Sequence, residues 1–157
     1  MAGGFDGAYS YFASAGFSYG STISAWPDMA EFARQHKLLF IPSVGCGYND
    51  EKIRPWNAAH TRSREGTAYF DRMWQAALDA GPDAVSITSW NEWGEGTQVE
   101  PARSGMRCES TWEGNTTHLP VQRYEYLEYV GGPYVFSDRI RHWRSRMRDA
   151  GNGSDEL

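Results

Sequence analysis

Ala84-Val-Ser-Ile-Thr-Ser-Trp90 is a short apolar run of strand length, and Asn91-Glu-Trp-Gly-Glu-Gly-Thr-Gln-Val-Glu100 follows it directly. The run reads as the last strand of an alternating series, with a carboxylate-rich loop at its C-terminal end. Upstream, Phe70, Met73, Trp74, Ala77 and Leu78 recur at helical spacing, and Gly81-Pro82 stops the helix. Before that helix, residues 38–44 (LLFIPSV) suit a strand buried on both faces. Pro27 opens an earlier helix, because its missing N–H would be unpaired in the first turn anyway. Met29, Phe32 and Ala33 share one face of that helix. Residues 5–12 (FDGAYSYF) carry β-prone aromatics and read as the first strand. Downstream, residues 91–134 read as a long irregular stretch. A last helix is expected over about 137–148, with Phe136, Ile140, Trp143 and Met147 on one face. Residues 151–157 read as a flexible, frayed tail.

Alternation of strand and helix implies parallel strands joined by crossover helices. The chain has 157 residues, whereas a complete (β/α)8 barrel takes about 250. Three such units alone leave a strand edge unpaired and core uncovered beside it. The expected fold is therefore α/β: the C-terminal part of a (β/α)8 TIM barrel, about three βα units plus a final helix. On this reading Met1 is not the natural start.

Charge narrows the function. Fifteen basic and 20 acidic residues give −5 with histidines neutral, which argues against a nucleic-acid partner. No run approaches the ~20 apolar residues of a membrane span, and no charged-then-apolar leader opens the chain. Seven Trp and nine Tyr mark a chain that folds. Such rings fill cores, and their flat faces also pack on the C–H faces of sugars. Cys46 and Cys108 pair only if the fold brings them together. No cysteine–histidine spacing suggests zinc and no glycine-rich phosphate loop occurs, so neither metal nor cofactor is expected.

The chemistry concentrates after the 84–90 strand. Glu92, Glu95 and Glu100 lie together beside Trp90 and Trp93. In parallel α/β barrels, residues just past a strand's C-terminal end face the active site. An indole wall disfavours charge on a neighbouring carboxylate, which leaves a proton donor beside an ionised partner. Glycosidic cleavage uses such a pair: one group protonates the departing oxygen and the other assists attack at the anomeric carbon. Gly94 and Gly96 let the loop turn tightly. By pattern alone, glutamates in surface ion pairs or capping backbone amides explain the cluster equally well.

The motif SITSWNEWGEGTQVEPA, residues 86–102, resembles the signature loop of glycoside hydrolase family 99, the endo-α-1,2-mannosidases. DGAYSYFASAGFSYGST (6–22), LLFIPSVGCGYND (38–50) and IRPWNAAHTRSREG (53–66) resemble stretches of the same family in the same order. The resemblance implies that residues 1–150 are part of a (β/α)8 glycoside hydrolase domain. It implies retaining, endo-acting hydrolysis of α-1,2-mannosidic bonds. The substrate would be a glucosylated high-mannose N-glycan, or an α-mannan for bacterial relatives. It implies that Glu92 removes the proton of the sugar's 2-hydroxyl, giving a 1,2-anhydro sugar, and that Glu95 is the general acid/base. Arg54, Tyr11, Trp90 and Asn91 carry over as substrate-binding residues. The family often has His where Gly94 stands, and its early-strand aromatic and histidine residues would lie upstream of Met1. Residues 103–120 match no version of the family pattern. The alternative is a carbohydrate-binding fragment without turnover, or a glycan-assembly accessory protein with a related barrel.

Smaller signals complete the reading. Asn115-Thr116-Thr117 and Asn152-Gly153-Ser154 fit the N-glycosylation acceptor pattern. Ser154-Asp-Glu-Leu157 resembles an ER-retrieval tetrapeptide. With the resemblance, this suggests the Golgi or ER lumen. Arg139, Arg141, Arg144, Arg146 and Arg148 make the last helix basic, as a solvated outer helix would be.

Overall fold

The computed structural model describes residues 4–11, 14–51, 53–54, 56, 61–103, 107–109, 123–125 and 128–152, with backbone only at 107–109, 123–125 and 150–152. Four short strands form a parallel array: β1 (Gly7–Tyr9), β2 (Leu39–Ile41), β3 (Ser43–Gly45) and β4 (Ser86–Thr88). β1 pairs with β2, and β3 pairs with β4, both in parallel. The first and last strands are shorter than the runs 5–12 and 84–90.

The run 38–44 is two strands rather than one, divided at Pro42. Proline has no N–H to give a ladder, but the Pro42 carbonyl still accepts the Ser86 amide at 3.0 Å. Just before it, the Phe40 amide is met by the Asp83 carboxylate at 2.8 Å, below the start of β4. Pairing thus passes from β1 on one edge to β4 on the other.

α1 (Trp26–His36) has Pro27 and Asp28 in its first turn and Arg34 and His36 in its last, which complements the helix dipole. Its buried residues are Trp26, Ala30 and Ala33, while Phe32 is 52 % exposed. Met29, Phe32 and Ala33 share a face as expected: all three line an apolar groove of about 380 Å³ with Ala8, Tyr19 and Leu39, and Ala33 and Met29 also pack on the core while Phe32 stands outermost. This groove lies beside β1, whose outer edge has no strand partner among the described residues.

α2 (Ala68–Asp79) buries Tyr69, Phe70, Met73, Trp74 and Ala77. The stretch expected to be irregular holds a short antiparallel pair, β5 (Arg107–Glu109) and β6 (Arg123–Glu125). Three residues per strand are too few to show a period in the sequence. α3 (Val135–Asn152) outruns the expected helix at both ends and includes Gly151 and Asn152. The acceptor triplet at 115–117, the rest of the triplet at 152–154, and the C-terminal tetrapeptide lie outside the described residues. None of the described helices is long and apolar enough to cross a membrane.

The core sits between the strands and α1, α2 and α3. Phe70 meets Trp74 and Phe136 edge-on, and Trp74 stacks on Trp143 with centroids 6.3 Å apart. Asp71 pins α3 to α2: its Oδ1 accepts from the Trp143 indole at 2.7 Å and from Arg139 at 2.8 Å. The side chains of Ser43, Ser86 and Thr88 form a hydroxyl network that reaches β1. Ser43 bonds to Thr88 at 2.6 Å, Thr88 donates to the Tyr11 carbonyl, and Ser86 donates to the Ser10 carbonyl at 3.3 Å. These bonds tie the residues just after β1 to the start of β3 and to both ends of β4, beneath the loop that follows β4.

Candidate active site

The loop at 89–100 closes on its own base. The Ser89 amide donates to the Thr97 carbonyl at 3.0 Å, and the Val99 amide returns to the Ser89 carbonyl at 3.0 Å. The two hydroxyls of Ser89 and Thr97 bond at 2.8 Å. Inside the loop, the Ser89 hydroxyl accepts the Glu92 amide at 3.0 Å. The Glu92 carbonyl accepts the Thr97 amide at 3.2 Å. Thr97, Gln98 and Val99 are buried, while Asn91 and Glu92 are exposed and Trp90 is 56 % exposed. The buried return limb anchors an outward-facing limb that carries both expected catalytic carboxylates.

Glu95 has a partner from the loop after β3. Arg54 donates to its Oε1 at 2.6 Å, a charge-assisted bond. The same guanidinium lies 3.4 Å from Asp50 Oδ2 and from the Tyr48 hydroxyl, and Tyr48 donates to Asp50 at 2.9 Å. The Ile53 and Arg54 amides bond back to the Asp50 carbonyl at 3.0 and 2.8 Å. This single helical turn puts Asp50 and Arg54 on one side. The bond to Glu95, then that to Asp50, raises the Arg54 pKa further above its ordinary value. Loss of hydration, then the bond to Asp50 and the Glu95 charge, pushes the Tyr48 phenol up to about 12, so Tyr48 remains a donor. Asp50 is only 1 % exposed.

The two loops are also laced through backbone. The Asn49 amide donates to the Glu95 carbonyl at 2.8 Å. Gly96 has φ +63°, and a Cβ there would lie 3.3 Å from the Asn49 nitrogen and oxygen. Glycine meets both demands, the left-handed backbone and the close approach. Glu92 folds back over Gly94: a Cβ on Gly94 would lie 3.2 Å from Glu92 Oε1 and 3.2 Å from Ile53 Cδ1. Both carboxylates therefore border the 50–54 turn.

The other expected residues fall as follows. The Tyr11 carbonyl accepts the Thr88 hydroxyl at the foot of the loop, and its ring is 57 % exposed. Trp90 and Asn91 lead into Glu92 on the exposed limb. The second indole serves a different carboxylate, since Trp93 donates to Glu100 at 2.8 Å. Sequence reasoning missed Tyr48 and Asp50. The available signal was an acidic residue four positions before Arg54. Cys46 is a free, buried thiol. Among the described residues, no group of three or more His, Cys, Asp or Glu side chains could hold a metal ion. What the arrangement offers is two neighbouring carboxylates, one exposed and one held by a guanidinium, with exposed aromatic rings nearby. That is a set of groups suited to proton transfer on a sugar.

Comparison with known proteins agrees with this chemistry. The family model described as glycosyl hydrolase family 99 matches residues 1–148. Glycoprotein endo-alpha-1,2-mannosidase of Xenopus laevis is 48 % identical over 143 residues, covering 91 % of this chain and 31 % of that protein. The human glycoprotein endo-alpha-1,2-mannosidase-like protein is 54 % identical over 131 residues, covering 82 % of this chain and 27 % of that protein. The GH99 endo-alpha-mannosidase structure from Bacteroides thetaiotaomicron, in complex with bis-tris-propane, superposes with a TM-score of 0.78 at 42 % identity. It covers 94 % of this chain and 42 % of its own. The chain thus spans 23–31 % of the length of the curated relatives it matches.

Proposed function

The chain belongs to glycosyl hydrolase family 99, and on that premise we propose that it is the part of a (β/α)8 mannosidase that carries both catalytic carboxylates. Residues 1–150 are the catalytic portion. The substrate is a glucosylated high-mannose N-glycan, and the bond cut is an internal α-1,2-mannosidic link, with retention. Glu92 takes the proton from the sugar's 2-hydroxyl, whose oxygen attacks the anomeric carbon and gives a 1,2-anhydro sugar. Glu95 protonates the departing oxygen and then activates the water that opens the epoxide. Arg54 orients Glu95 and offers donors to sugar hydroxyls. Tyr11, Trp90 and Asn91 contact the glycan. The compartment is the lumen of the Golgi or ER.

One observation carries the reading: Glu92 and Glu95 share a loop at the C-terminal end of β4, and Arg54 reaches Glu95 at 2.6 Å from the neighbouring loop. Catalytic groups in this fold class come from the ends of several strands in just this way. The test uses the intact protein that contains this chain, assayed on a glucosylated high-mannose glycan by mass spectrometry. Glu92→Gln and Glu95→Gln should each lower turnover by about 10²–10⁴-fold with circular dichroism unchanged. Undiminished turnover, or unfolding of both variants, would refute the assignment.

A second reading applies to the 157-residue chain taken by itself. β1 and β4 each have one edge without a strand partner among the described residues. For such an open array the alternative is a carbohydrate-binding fragment without turnover, which would bind a high-mannose glycan and release no product.

A further inference from the structure

The loop that carries Glu92 and Glu95 is held from behind by side chains that bond to its carbonyls rather than to its carboxylates. Arg64 Nη2 donates to the Gly96 carbonyl at 2.8 Å and to the Gln98 carbonyl at 2.9 Å. The Cys46 thiol points at the Thr97 and Gln98 carbonyls, at 3.2 and 3.3 Å. The Tyr129 hydroxyl donates to the Glu100 carbonyl at 2.7 Å and lies 3.3 Å from that of Gln98. Four of the five consecutive carbonyls from 96 to 100 are therefore held by side chains from elsewhere in the chain. The guanidinium is itself seated on aromatic faces, 4.8 Å from the Tyr129 ring centre and 5.0 Å from that of Phe136. Room for its stem is left by Gly47, where a Cβ would stand 2.8 Å from Arg64 Cγ. Burial pushes the Cys46 thiol up to about 11 and the Tyr129 phenol up to about 12, so both remain protonated donors at neutral pH.

From this geometry we infer that Arg64 is a positioning residue: with Tyr129 and Cys46 it clamps the return limb of the loop and so fixes the height of Glu92 and Glu95 above β4. The inference rests on the hydrolase reading for its effect on rate. Both bonds leave one guanidinium nitrogen, Nη2, and span carbonyls two residues apart, while the planar group lies against two rings, a seat that a lysine ammonium has no plane to fill. The clamp acts close to the reacting groups: the Gly96 amide follows Glu95 directly, and the Thr97 amide bonds to the Glu92 carbonyl. Releasing the limb lets both carboxylates drift together, with no contact to substrate lost.

The experiment compares Arg64→Met, Arg64→Lys and Tyr129→Phe in the intact protein, by steady-state kinetics and by amide hydrogen exchange of the loop. Arg64→Met should lower kcat by about 10²-fold, the cost of a small misplacement of reacting groups, while KM stays near its original value. Exchange at Thr97 and Val99, whose amides close the loop, should accelerate. Arg64→Lys should recover part of both effects, and Tyr129→Phe should show a smaller loss of the same kind. A fall in KM-dependent binding with kcat intact would overturn the inference, as would unchanged exchange at Thr97 and Val99. If the unsubstituted protein cleaves no α-mannoside, the hydrolase reading fails, and loop exchange alone decides whether Arg64 is a clamp.

Discussion

Asp71→Ala tests whether α3 is fastened to α2 by one carboxylate. Asp71 Oδ1 accepts the Trp143 indole N–H at 2.7 Å and Arg139 at 2.8 Å, and Oδ2 accepts the Thr67 hydroxyl at 3.0 Å. Trp143 is 4 % exposed, so its N–H, left without an acceptor, costs about 1–3 kcal/mol. The Arg139–Asp71 pair has side chains 30 % and 26 % exposed. Solvent screens it, and its loss adds about 0.2–1 kcal/mol. Thr67 can turn its hydroxyl to water and adds about 0.5 kcal/mol at most. The sum is a destabilisation of roughly 1–4.5 kcal/mol, read from the urea midpoint at constant m. Asp71→Asn keeps an acceptor for the indole and should cost only about 1 kcal/mol. The reasoning fails if Asn is as damaging as Ala, because charge rather than the indole's acceptor would then decide. It also fails if Ala costs nothing. The effect should reach the active site, since α3 supplies Phe136, on which Arg64 rests.

Two further outcomes are expected. Gly96→Ala forces a residue with a side chain to φ +63° against Asn49. It should cost about 1–2 kcal/mol in the urea midpoint and depress turnover beyond that loss, and a neutral result would remove the need for glycine there. For Cys46, the folded thiol stays protonated up to about 11 against an ordinary 9.0. Its contribution to stability is therefore complete below pH 9 and drains away as pH rises toward 11. Cys46→Ala should flatten the alkaline fall of the urea midpoint over that window, and parallel curves for the two proteins would contradict this.

What could be read from the sequence follows from how local each signal is. α2 was legible because five apolar residues recur at helical spacing and four of them, Phe70, Met73, Trp74 and Ala77, are buried. The carboxylate loop was legible because Glu92 and Glu95 follow an apolar strand directly. The split at Pro42 was not, because whether a proline breaks a strand depends on the neighbours its missing N–H would have met. The exposure of Phe32 is not legible for a similar reason: helical spacing finds an apolar face but not the element that covers it. Tyr48 and Asp50 escaped because they lie in a polar turn, and only the fold brings Arg54 of that turn to Glu95. Arg64 left no trace at all, since it recognises backbone carbonyls, and those look alike in every sequence.

The outer edge of β1, which has no strand partner among the described residues, has a practical consequence for handling the chain. On β1 Tyr9 is 69 % exposed, and in the groove beside it Phe32 is 52 % exposed. Free amides and carbonyls flanked by apolar rings form a template that another copy can extend. Produced in isolation, the 157-residue chain should self-associate through β1 in a concentration-dependent way. A lysine at Ala8, within β1 itself, is the gatekeeper charge such edges commonly carry and should keep it dispersed without touching the loop at 89–100.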